Sequence, residues 1–275
     1  MPSPTPGAPD LTIVIPTYNE RDRLAELVDA LYAACGRSGI ALELVIVDDN
    51  SPDGTGTLAD DLARTRRLQV VHRSGKLGLG TAVVAGFDVA SAAIVGVMDA
   101  DFSHPPSLVP TLLAAQRASD ADLVVASRYV PGGSTPDWPL KRRFLSRAAC
   151  LLARPLSPIR DAASGFFLLR RDVARGVTIH AGGFKICLEL IVRAWPIRLV
   201  ELPYRFDDRE AGESKMNTRE AIGYLLQLRN LYGVRRRERH RARQEYRQLS
   251  PSEVQALGAS AAAPAANGPI RRSHV

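Results

Sequence analysis

The chain is poor in the residues that mark secreted, zinc-binding or membrane-spanning proteins. Its 275 residues include three cysteines, Cys35, Cys150 and Cys187, odd in number and far apart. No Cys-x-x-Cys pair or Cys/His ligand spacing is present, which argues against a zinc site or a disulfide framework and fits a reducing compartment. No run of about 18 apolar residues occurs, so no transmembrane helix is expected. Positions 1–10 are Pro-rich and lack the charged-then-apolar build of a signal peptide. A cytoplasmic location follows, at most peripheral at the cytoplasmic face of the membrane. Familiar phosphate-binding fingerprints are missing too. Gly78-Leu79-Gly80 meets Val83 where a dinucleotide motif needs its third glycine, and Gly75-Lys76 is followed by Leu77 rather than Ser or Thr, so it is no P-loop. Residues 49–54 imitate the start of an EF-hand loop but leave a strand and lack the closing Glu.

What is there describes an ordinary soluble domain with an anionic partner. Hydrophobic content is 45% and charged content 24%, enough for a substantial core in one large or two small domains. The net charge of +7 points to nucleic acid, acidic lipid or a phosphorylated substrate, without choosing among them. Strand and helix signals alternate along residues 11–15, 21–34, 42–47, a short helix at Leu58 and Leu62, 68–71, 81–92, 93–98, 108–116 and 123–126. Such repeats predict an α/β fold with a mostly parallel sheet and helices on both faces. Further on, helices are expected at 140–153, 184–194 and from 218 to about 232, with strands at 165–169 and 199–204. The helix from 218 is amphipathic, and an Arg-dense run at 235–247 follows it. The domain expected is 11–234, between a disordered N-terminus at 1–10 and an Arg-rich, disordered tail at 235–275.

Polar clusters fall at the C-terminal ends of the predicted strands. Asp99-Ala100-Asp101 ends a short apolar run, where open α/β sheets bind ligands. Two carboxylates there imply a cation or substrate donors, and a hard divalent ion bridging them to a diphosphate accounts for the pair. Residues 16–20, 48–54 and Lys76 fall at the same edge. Turn chemistry explains Pro, Asn, Asp and Gly, but not Tyr18 with Glu20, a double Asp and a Lys together. His104, before Pro105 and Pro106, is expected to shape a turn, and Trp138 to pack.

Three segments, Ile15-Pro16-Thr17-Tyr18-Asn19-Glu20, residues 47–55 and residues 99–106, resemble the inverting family 2 glycosyltransferases. Ser127-Arg128-Tyr129, residues 141–147, Gly183-Phe184-Lys185-Ile186 and Gly212-Glu213-Ser214-Lys215-Met216 resemble the polyprenol (dolichyl) phosphate mannosyltransferases. The likeness runs over about 11–232. It implies a GT-A, Rossmann-like fold that moves mannose from GDP-mannose to a polyprenyl phosphate with Mg2+ or Mn2+. By position, Pro16, Tyr18, Glu20, Val47, Asp49 and Lys76 hold the nucleotide sugar, with Asp99, Ala100 and Asp101 at its diphosphate. Asp99, Asp101 and Ser103 are the implied metal ligands. Asp101, Arg128, Arg142, Ser146, Arg209 and Lys215 are the implied catalytic and acceptor-side residues. Asp161 and Glu189 are read from the residues alone either as groups that orient the site or as core ion-pair partners. Phe167 stands where the family often carries Arg, which removes a phosphate contact or leaves a lipid-facing surface. Another donor such as UDP-glucose, another acceptor, or a basic nucleic-acid-binding protein using the arginines at 235–247 are the alternatives. No aromatic stacking platform accompanies those arginines, so no nucleic-acid partner is expected.

Overall fold

Leu11–Thr17 (β1) and Leu42–Asp48 (β2) are mostly apolar and buried at nearly every position, as strands are inside a sheet covered on both faces. In the computed structural model, which describes residues 7–177, 179, 185–207, 218–238 and 240–262, they pair in parallel, Leu11 opposite Leu42 and Thr17 opposite Asp48. Leu68–His72 (β3) flanks β2, and Ile94–Val97 (β4) flanks β1, both in parallel. Between β4 and Leu123–Ser127 (β5) runs Phe167–Arg170 (β6), antiparallel to each. Arg198–Pro203 (β7) and Glu245–Gln248 (β8) extend the sheet in parallel beyond β5. The order is β3-β2-β1-β4-β6-β5-β7-β8, mostly parallel as the alternation predicts.

Alternation along β1 sends Ile13 and Ile15 to one face and Val14 to the other. The first face is covered by Arg21–Arg37 (α1), Thr55–Ala63 (α2) and Val109–Ser119 (α4). The second carries Leu79–Val89 (α3), Leu140–Ala153 (α5), Ile186–Arg193 (α7) and Thr218–Arg237 (α8). A single turn, Arg171–Ala174 (α6), follows β6. Gly86 lets α3 lie close on β1, because a Cβ there would meet Val14 Cγ1 at 2.3 Å. No helix among the described residues is long and apolar enough to cross a membrane.

Of the two alternatives for Phe167, the lipid-facing surface fails and the loss of a phosphate contact agrees with the structure: the ring is fully buried in β6, opposite Val97 and Val125, where it completes the core. The expected disorder of the tail fails as well. The tail is ordered over 245–262, as β8 and a further helix, Pro251–Ala262 (α9), which covers the first face beside α4. β8 satisfies the open edge of β7, and Tyr246 donates its hydroxyl to buried Glu201 at 2.7 Å. Ser250 and Glu253 cap α9 reciprocally: Ser250 N–H donates to Glu253 Oε2 at 2.8 Å and Glu253 N–H to Ser250 Oγ at 3.3 Å. The Arg-dense run is partly tied down as well. α8 extends to Arg237, Arg235 stacks 4.2 Å from the Trp195 ring, and Arg241 donates to Glu238 and to the Arg193 carbonyl. Residues 1–6 and 263–275, also expected to be disordered, lie outside the described residues.

Candidate active site

β1, β2, β4 and β5 deliver their following loops to one edge of the sheet. Asn19 and Asn50 adopt left-handed backbone at φ 60° and 58°, turning the chain sharply after β1 and β2. The two loops are stitched together: Asn19 N–H donates to Ser51 Oγ at 3.1 Å, Glu20 N–H to Thr55 Oγ1 at 3.0 Å and Arg21 N–H to Asp53 Oδ2 at 3.2 Å. Buried Asp48 accepts from Ser51 Oγ at 2.5 Å and Thr17 Oγ1 at 3.2 Å. Much of the polar run at 48–55 therefore builds a rigid wall.

On that wall, Asp49 pairs with Arg73 at 3.0 Å. Burial pushes its carboxyl above the usual carboxylate range, against the opposing pull of Arg73. Lys76 Nζ sits 3.4 Å from the centre of the Tyr18 ring, a cation held on a flat aromatic face. Pro16 and Val47 are register partners in the sheet, and the Val47 side chain is buried toward α3. The structure thus brings Tyr18, Glu20, Asp49 and Lys76 to one edge and keeps Pro16 and Val47 as framework.

The acidic pair follows β4. Asp101 is buried, and its Oδ1 accepts Ser103 N–H at 3.0 Å and Ser103 Oγ–H at 2.6 Å. Ser103, implied as a metal ligand, thus orients Asp101 through two bonds. Asp99 keeps a side chain 40% exposed. Its backbone N–H donates to Nδ1 of fully enclosed His104 at 3.0 Å, and His104 Nε2 lies 3.8 Å from Asp99 Oδ2. Stacked on Phe166 at 4.9 Å, His104 has its pKa lowered by burial, so the neutral ring accepts that backbone proton. His104 is the residue that sequence reasoning undervalued. A turn histidine and a positioning histidine carry the same letters, and only the fold of residues 99–104 distinguishes them.

These oxygens fit a hard divalent ion. Among the described residues no group of three or more His, Cys, Asp or Glu side chains makes a closed cage. Two carboxylates completed by substrate phosphates are the ordinary donor set for Mg2+. Space is kept open beside them: a Cβ on Gly165 would stand 3.6 Å from both Asp99 carboxylate oxygens and 3.3 Å from His104 Cε1.

The arginine side is built around β5. Arg128 grips Asp161 with Nε and Nη2, each at 2.7 Å, and its backbone N–H donates to the same carboxylate at 3.0 Å. Burial opposes its charge, but Asp161 prevails and raises the guanidinium pKa. Asp161 is held in turn by Glu201, which accepts the backbone N–H of Asp161 at 2.8 Å and of Arg160 at 2.9 Å. On α5, Arg142 stacks 4.0 Å from the Trp138 ring, and Ser146 Oγ accepts the Tyr129 hydroxyl at 2.6 Å. Trp138 is packed, edge-on to Phe206 at 5.2 Å. Glu189 pairs with Arg193 at 2.8 Å and accepts from Gln227 at 2.9 Å, so it braces α7 against α8. Lys185 has its pKa lowered, first by burial and then by Arg128. Arg209 and Lys215 lie outside the described residues. The arrangement sets an acidic pair and an aromatic-backed group of arginines along one side of the molecule, suited to placing two anions around one reacting centre.

Residues 12–178 match the family described as Glycosyl transferase family 2. A dolichol-phosphate mannosyltransferase from Pyrococcus furiosus is 38% identical over 225 residues, covering 80% of this chain and 63% of that protein. The chain thus spans less than two thirds of that relative. A polyprenol monophosphomannose synthase from Mycolicibacterium smegmatis is 41% identical over 225 residues, covering 76% of this chain and 83% of that protein. A Pyrobaculum calidifontis mannosyltransferase solved with GDP-Man and Mn2+ superposes with a TM-score of 0.53 at 19% identity, covering 94% of this chain and 71% of that one. The order of the strands, the acidic pair after β4 and these likenesses agree: the chain has the GT-A fold, belongs to glycosyl transferase family 2 and is a glycosyltransferase.

Proposed function

We propose that the protein transfers mannose from GDP-mannose to a polyprenyl phosphate, with inversion, as a peripheral protein at the cytoplasmic face of a membrane. The observation that carries the proposal is the Asp99–Asp101 pair, set by His104 and Ser103 on the edge that also bears Asp49 and Lys76. The relatives named for dolichol-phosphate and polyprenol mannosyl transfer support the choice of sugar and acceptor.

Tyr18, Glu20, Asp49 and Lys76 hold the nucleoside end of the donor. Asp99 and Asp101 hold Mg2+ or Mn2+ at its diphosphate, as the neighbour solved with GDP-Man and Mn2+ supports. Bound there, such an ion offsets the charge that grows on the leaving nucleotide. The acceptor phosphate already carries about −1.5 to −2 at neutral pH, so it attacks without a general base. Arg142 and Ser146 meet that phosphate, joined by Arg209 and Lys215. Arg128 shapes this end of the cleft through its pairing with Asp161.

Transfer from radiolabelled GDP-mannose to short polyprenyl phosphates, with and without chelator, tests the proposal. Label is expected in the lipid fraction only when metal is present. Faster turnover of UDP-glucose in the same assay, or transfer undiminished by chelator, refutes it.

A further inference from the structure

Behind α5, a pocket of about 320 Å³ is lined by Tyr129, Arg147, Cys150, Leu151, Arg154 and Arg160. Three arginines line it, and among the described residues none is paired with a carboxylate. The two acids nearest in the network are already engaged: Asp161 holds Arg128, and Glu201 holds the backbone of Arg160 and Asp161 and the Tyr246 hydroxyl. Arg154 is steadied by donating to the Pro158 carbonyl at 2.7 Å, and Arg147 leans on the Tyr129 ring at 5.8 Å. Like charges held around one hollow repel, and an anion entering it relieves that repulsion.

The pocket opens beside an apolar surface. On α5, Leu140, Phe144 and Leu151 are 79%, 72% and 70% exposed, and Leu152 is also exposed. α8 runs against the same helix, with Tyr224 donating to the Ala149 carbonyl and Tyr232 to the Leu152 carbonyl, each at 2.7 Å. It adds Ile222, Leu225 and Leu226, all exposed. Large apolar side chains on two neighbouring helices, interleaved with arginines, are the build of a surface that rests on an anionic leaflet.

We infer that this pocket is a second anion site, separate from the acceptor phosphate site, which takes the phosphate of an anionic phospholipid when the α5–α8 face lies on a bilayer. The inference rests on the proposed lipid acceptor only for its choice of a membrane as partner. Arg147, Arg154 and Arg160 grip the headgroup phosphate, while Leu151 lies along the first carbons of its chains. The site thereby fixes the height and tilt of α5, the helix that also carries Arg142 and Ser146.

The test is flotation of the full chain with phosphatidylcholine vesicles, with and without phosphatidylglycerol. Wild type is expected to float with the anionic vesicles only. Each basic side chain near an anionic leaflet strengthens partition on the order of fivefold, so R154Q/R160Q is expected to weaken it by roughly 30-fold. R37Q/R64Q, which removes equal charge from the far ends of α1 and α2, is expected to bind as wild type does. Equal binding by R154Q/R160Q and wild type, or equal loss in R37Q/R64Q, overturns the site. So does displacement of wild type by inorganic phosphate at matched ionic strength, which would assign the pocket to a soluble phosphate. Mannosyl transfer to a water-soluble short-chain polyprenyl phosphate, without vesicles, is followed in parallel. R154Q/R160Q is expected to retain it; its loss there would merge the pocket with the acceptor site and overturn the inference. No transfer by wild type would sink the proposed activity while leaving the flotation result standing.

Discussion

Replacing Asp161 by Asn strikes a buried charge that holds both the side chain and the backbone of Arg128. Its carboxylate accepts Nε and Nη2 of Arg128 at 2.7 Å and the Arg128 backbone N–H at 3.0 Å, and both side chains are buried. Asn keeps the shape but aims an NH2 group at one of the guanidinium donors and leaves the positive charge uncompensated. Removing one partner of a buried pair costs about 3–5 kcal/mol. In a domain of this size, that corresponds to a fall in Tm of roughly 6–20 °C. Urea denaturation followed by circular dichroism, together with a thermal scan, measures it. The pair itself is expected to contribute little beyond an apolar substitute, so R128M/D161L should be less destabilised than D161N alone. A D161N protein within about 1 kcal/mol of wild type, or a double variant worse than the single one, would refute the assignment of Asp161 as the clamp on Arg128.

The remaining predictions concern the acidic pair, a buried glutamate and the C-terminal extension. D99N and D101N are each expected to lower metal-dependent turnover by about 100-fold or more, and D99N, on the exposed carboxylate, to leave stability within about 0.5 kcal/mol of wild type. Unchanged turnover in both would count against the metal role. Glu43 accepts from Thr12 at 2.6 Å, Ser91 N–H and Oγ–H at 2.8 Å each and Gln69 at 3.0 Å. Burial raises its pKa, but these bonds prevail and hold it below 4.5. Its ionised form therefore stabilises the fold above about pH 4.5 and loses that contribution as pH falls through the lower folded value. The stability deficit of E43Q should shrink between pH 7 and pH 4; a deficit independent of pH would contradict this. Y246F removes the hydroxyl given to Glu201 and should cost roughly 1–3 kcal/mol in urea denaturation. A silent Y246F would mean that β8 adds nothing to the Arg128–Asp161–Glu201 chain.

The strands were legible because a buried parallel strand needs apolar residues on both faces, and residues 11–15, 42–47 and 93–98 have them. The elements beyond α8 were not. β8 reads Glu-Tyr-Arg-Gln and is half-exposed, so it has no apolar pattern to detect. α9 did carry a signal, Ser250-Pro251-Ser252-Glu253, the letters of a capping box with Pro at the first helical position, which the Ala-rich composition beyond it obscured. In the site, the Asp-x-Asp pair stood out because two carboxylates at the end of a buried strand need a cation or donors. The neighbours that orient Arg128 and Ser103 were not legible: Asp161, more than thirty residues downstream, and Asp101, two residues away, accept from them.

Taken alone, the sequence determined the alternating architecture, the edge of the sheet where the polar loops gather, and the residue types that meet there. Those features are local, since periodicity, strand ends and turn residues act over a few positions. Only the tertiary structure decided which charged groups are committed to one another, that His104 positions Asp99, that Phe167 is core, and that three arginines surround one hollow beside α5. Each of these depends on side chains from distant segments competing for the same space or the same proton, and that competition is settled only when the sheet and its helices close around them.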